Sequence, residues 1–164
     1  MKNDELKHQY EDITSLYDMA EDLAATVENK LVKNPEAQLA LVEPLINDIA
    51  DSADALSEEF IDILENPSHK KTAKTRIEKA LRKMFMALET YRNRVKETTA
   101  DTTVAILNVA DSIVNKIYKQ AEKIMLIFMR LIDISLERIM RKHELDEFRR
   151  NNSQFINMLP QHGH

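Results

Sequence analysis

The sequence predicts an all-α fold: a four-helix up-and-down antiparallel bundle with a long fourth helix and a short C-terminal tail. Three observations lead there. Its 164 residues include one glycine and four prolines, too few for the glycine-bearing turns that a β-rich chain needs. Four stretches repeat apolar residues in steps of three and four, the spacing that lines one seam of a helix. Residues that break helices fall between those stretches. At 43% hydrophobic and 31% charged, the composition suits one folded domain of this length. Residues 1–150 are read as that domain and 151–164 as the tail.

The first register runs Leu6, Tyr10, Ile13, Tyr17, Ala20, Ala24, Val27 and Leu31. Asn34-Pro35 ends it, because the residue before a proline avoids the α region. The second runs Ile46, Ile49, Ala53, Leu56, Phe60 and Ile63, with Pro44 expected to begin or kink its main part. Asn66-Pro67 closes it, and either proline can open the next helix. The third runs Ile77, Leu81, Met84, Leu88, Tyr91 and Val95, followed by a cap-forming stretch in which Thr99 or Asp101 is the expected N-cap. The fourth runs Ile106, Ala110, Ile113, Ile117, Ile124, Ile127, Leu131 and Ile134. Three helices of roughly 28 to 30 residues are about 45 Å long. The fourth is expected from about Asp101 to Arg150, overhanging the others by roughly 30 Å, either continuous to Asn151-Asn152-Ser153 or broken near 141–152.

Composition also excludes chemistry. Without cysteine there is no disulfide, thiol nucleophile or thiolate metal site. A single glycine, Gly163, leaves neither a phosphate-cradling loop nor a dinucleotide fingerprint. Met1-Lys2-Asn3-Asp4-Glu5 lacks a signal peptide's apolar core, and no uncharged apolar run reaches the ~20 residues of a membrane span. The expected address is the cytoplasm.

Two features point to function. The first is charge asymmetry: residues 1–66 hold 17 acids and 4 bases, whereas 67–164 hold 11 acids and 19 bases. Helix three opens on a basic patch of Lys70, Lys71, Lys74, Arg76, Lys79, Arg82 and Lys83. That patch suits an anionic polymer such as nucleic acid, or a membrane surface. Across a tight hairpin at Asn66-Pro67-Ser68 it equally suits the acids of helix two, among them Asp51, Asp54, Glu58, Asp62 and Glu65. Mutual pairing is the preferred reading.

The second feature is surplus apolar surface on helix four. Met125, Met129, Ile132, Leu136 and Ile139 form a second register, with His143 at the next step. One seam suffices for a four-helix core, so this one needs a partner. A second copy of the chain, making a homodimer, is preferred over the C-terminal tail folding back and over a different helical protein.

Weaker signals are set aside. Glu5-Leu6-Lys7-His8 has the Glu-x-x-His spacing of di-iron bundles, but such sites need the motif twice. Asp48, Asp51 and Asp54 read as a solvated stripe, and His162-Gly163-His164 as a disordered tail. Tyr10, Tyr17 and Tyr91 are expected to bury their rings and send their hydroxyls outward. No catalytic residue, metal ligand or cofactor is assigned. The expected function is a non-enzymatic interaction module (adaptor, scaffold or chaperone-like), with anionic-polymer binding second and a metal or small-ligand site inside the bundle third.

Overall fold

The computed structural model describes residues 2–30, 35–97 and 101–159, with side chains from 3–28, 42–93 and 110–159. Among the described residues all regular structure is helical. Four long helices come first: α1 (Lys2–Lys30), α2 (Pro35–Glu65), α3 (Lys70–Glu97) and α4 (Asp101–Leu131). Two short ones follow, α5 (Lys142–Asn151) and α6 (Ser153–Met158), after a single 3₁₀ turn at Leu136–Arg138. Asn34, Thr99 and His162-Gly163-His164 lie outside the described residues, as do the side chains of Leu31, Val95 and Ile106. Asp101 is the first residue of α4. No helix of the described residues is long and apolar enough to cross a membrane.

Each long helix packs on two others: α1 on α2 and α4, and α3 on the same pair. The α3–α4 approach is the sparsest of the four, and residues 132–152 lie along it. Proline opens α2, where its missing N–H costs nothing, and Pro44 lies within the helix on an exposed position rather than starting it. Asp62 organises the α2–α3 turn: its carboxylate accepts from Asn66 Nδ2 at 3.2 Å and meets His69 Nδ1 at 3.0 Å across a 3₁₀ turn, Pro67–His69.

The core is one continuous cluster to which α5 contributes Leu145 and Phe148. Four phenylalanines, Phe60, Phe85, Phe128 and Phe148, are fully buried within it. Phe60 meets the edge of Phe128 at 6.3 Å, and Phe85 meets Tyr118 at 5.9 Å. The seam of α1 departs from the one expected. Leu16 and Leu23 are fully buried, while Tyr10 is exposed and Tyr17 and Ala24 are half-buried. Both registers share Ile13, Ala20 and Val27; the larger apolar side chains, not the tyrosines, win the inner face. Tyr17 sends its hydroxyl to Asp54 Oδ1 at 2.8 Å, and burial followed by that bond raises its pKa to about 12.

Helix four is the larger correction. It ends at Leu131 after 31 residues, as long as α2, and does not continue to Arg150. The Ile132 N–H bonds back to Phe128 at 2.9 Å, after which the chain leaves the helix. Neither glycine nor proline stands there, and just beyond the break the Glu78 carboxylate of α3 accepts the Ser135 N–H.

Phe60→Ala removes a fully buried ring packed against Phe128 and the ring of Tyr10, and should destabilise the fold by about 3–5 kcal/mol. Urea denaturation followed by circular dichroism measures this; a loss below about 1 kcal/mol would mean that the site collapses around the missing ring.

Candidate functional site

The second apolar register does not face outward. Met125, Ile132, Leu136 and Ile139 are buried, Met129 is half-buried and His143 is exposed. The expectation that these six residues offer one free surface is corrected: four of them lie in the chain's own core, three of these in the segment that turns back after Leu131. A straight overhanging helix would leave most of that arc in water, whereas folding back buries it against α3 at about 25 cal/mol per Å². The large apolar side chains left exposed in this region are Phe155 and Met158, at 60% and 82%.

The basic patch is divided. Arg76 donates to Glu59 at 2.6 Å, and Lys83 to Asp51 at 3.3 Å with Asp48 at 3.9 Å. Arg82 donates to the Arg138 carbonyl at 3.3 Å. Lys70, Lys71, Lys74 and Lys79 make no ion pair with the described residues. His8, the histidine of the di-iron-like spacing, is 78% exposed beside Glu11.

What the sequence reading missed is a set of buried acids on α3 that receives the returning segment. Glu78 and Glu89, 3% and 5% exposed, lie three turns apart on one face with Phe85 between them. Glu78 accepts the Ser135 N–H through Oε2, and Arg138 reaches its other oxygen at 3.6 Å. Glu89 accepts from Arg141 Nη1 at 3.5 Å and has His143 Nε2 at 3.5 Å. A carboxyl oxygen of Glu144, itself 4% exposed, lies within 4.8 Å of the Glu89 carboxyl. Glu89 Oε2 and Glu144 Oε1 receive no donor from any described group.

Two carboxyls so close, out of water, cannot both ionise cheaply. Burial, the bond to Glu89 and the charge of Glu89 together push Glu144 up to about 8, against the opposing pull of a backbone N–H and Arg92. Around the pair stand Arg92, whose guanidinium lies 3.8 Å over the Tyr118 ring, and Glu122, raised by burial and bonded by Asn152 Nδ2 at 3.3 Å. Burial raises Tyr118 to about 12, and its hydroxyl has no partner among the described residues. The pair, with His143 beside it, can hold a proton or a cation and ties α5 to α3. One sequence signal was available: two glutamates bracketing a phenylalanine on a single helical face.

Glu144 holds its proton in the folded chain well above its ordinary value of 4.5. Stability is therefore fully present below pH 4.5 and is lost as pH rises toward about 8, by at most about 1.4 kcal/mol per pH unit. Glu144→Gln, which keeps a donor for Glu89, should flatten this fall and raise the urea midpoint at pH 8. Identical pH profiles for native and variant chains would refute the shared proton.

No protein-family model, curated protein or solved structure matches this chain, so the reading of the site stands on its own geometry.

Proposed function

We propose that the chain is a non-enzymatic helical interaction module that pairs with a second copy of itself by exchanging residues 132–159. One observation carries this reading: α4 stops at Leu131 in mid-register, with apolar Ile132, Leu136 and Ile139 still to come and no local breaker. A helix stopped only by contacts with α3 can run on if those contacts are made by another chain's segment instead. Straightened, α4 carries its segment away from its own α3, and each groove receives the partner's segment. The contacts of Arg141, Phe148 and Asn152 are then preserved, which makes such exchange a low-cost route to a closed dimer.

Incomplete closure within one chain supports this. A groove of about 640 Å³ lies between Arg82 and Met86 of α3 and the segment's Ile139, Met140 and Leu145. The arrangement we propose for the long helices is the up-and-down antiparallel bundle. Glu5 pairs with Arg130 and Asp12 with Lys123, so a step forward along α1 matches a step back along α4. Glu59 with Arg76 and Asp51 with Lys83 do the same for α2 and α3. That second set also takes up two of the cations that an anionic polymer would need.

Light scattering across a concentration series tests the exchange. Asp133→Pro forbids the straight helix, at about 3 kcal/mol or more, and should leave only monomer. Glu78→Ala removes the acceptor that holds Ser135 in the turn and should raise the dimer fraction. If the native chain and Glu78→Ala both stay monomeric throughout, the reading fails.

A further inference from the structure

Three places outside the core stand out. The groove beside Arg82 has an apolar floor but an ion-paired rim, Arg149 with Glu137, and nothing indicates an occupant. The exposed face of α6, with Phe155 and Met158, has no partner argued by anything around it. The cluster of Glu89, His143 and Glu144 differs from both, because its geometry specifies a ligand.

We propose that Glu89, His143 and Glu144 form a site for one divalent transition-metal ion, zinc being the best match, that clasps α5 to α3. One ligand atom from each residue, two carboxylate oxygens and an imidazole nitrogen, lies within 4.8 Å of the others. Around a tetrahedral ion with bonds of about 2.0–2.2 Å, ligand atoms are about 3.4 Å apart, so small side-chain rotations complete the set. Independently of that spacing, Glu89 Oε2 and Glu144 Oε1 are buried oxygens to which no described group donates. Oxygens sealed from water and lacking a donor call for a positive centre between them.

The donor set narrows the ion. Imidazole with carboxylates suits zinc, iron or manganese, whereas magnesium and calcium prefer oxygen alone. His143 is 70% exposed at its side chain and would leave the remaining coordination position open to water. Arg141, at 3.5 Å from Glu89, competes for the same oxygen. Its side chain is 57% exposed, free to turn outward when an ion enters. Arg92 is stacked on the Tyr118 ring. The site depends only on the seating of α5 against α3 and does not rest on exchange between chains.

The test uses the full chain carrying His162→Ala and His164→Ala, which removes the other histidine pair. After chelator treatment it is titrated with zinc chloride in a calorimeter, with magnesium chloride in parallel. One zinc per chain and no measurable magnesium binding are expected. Cobalt(II) in place of zinc should give the visible absorption of a four-coordinate ion. His143→Ala, on an exposed side chain that the core does not need, should weaken zinc binding at least about tenfold with helicity unchanged. Glu144→Gln and Glu89→Gln should abolish it. No zinc binding by the titrated chain would overturn the proposal, and so would full-strength binding by His143→Ala.

Discussion

The last two turns of α4, residues 124–131, are apolar at every position but Arg130, more than one seam of a bundle needs. Everything distinctive in the second half of the chain answers that excess. A straight extension beyond Leu131 would add more apolar surface with nothing to bury it. Turning at 132–135 instead lays Ile132, Leu136, Ile139, Leu145 and Phe148 back on the core, all nearly or fully buried. The gain is area removed from water, which grows with each side chain covered. The loss is a few helical hydrogen bonds in the turn, and the Glu78 carboxylate restores one of them at Ser135.

Covering an apolar seam with a segment as charged as 137–150 brings polar groups inside, and their placement determines how the segment seats. Glu78 and Glu89 sit on the face of α3 that the segment crosses, and each is met by an arginine whose far end stays in water. Burying the carboxylates while leaving the guanidinium ends hydrated lowers the desolvation penalty of a fully enclosed pair. Two anchors three turns apart also set the register of the segment, because sliding it by one residue would strand both acids. Glu144 is the exception: it brings a third carboxyl against Glu89 with no cation of its own. Its raised pKa is the consequence, and that place is where the structure asks for a proton or a metal ion.

The hairpin between α2 and α3 shows a milder use of charge. Arg76 with Glu59 and Lys83 with Asp51 are exposed on at least one side, and such pairs contribute at most about 1 kcal/mol each. Their value lies in selecting which helices lie side by side. The asymmetry between the two halves of the sequence is thus partly consumed within the chain, and the lysines left over stand at the start of α3.

The helical class, the positions of α1 to α3, the start of α4 and most of the seams of α2, α3 and α4 were legible in the residues. Heptad spacing and the scarcity of glycine are local facts, and helices obey local rules. The excess apolar surface of α4 was legible too, because it is a property of one helix. What covers that surface was not. The break after Leu131 carries no strong mark, since Ile132-Asp133-Ile134-Ser135 holds weak helix formers but neither glycine nor proline. It exists because α3, remote in sequence, offers Glu78 and a face to fill. The meeting of Glu89, His143 and Glu144 is likewise a product of that fold-back: two residues of α5 reach one of α3 more than fifty positions earlier. Periodicity registers which side chains want burial, and only the tertiary packing decides what buries them.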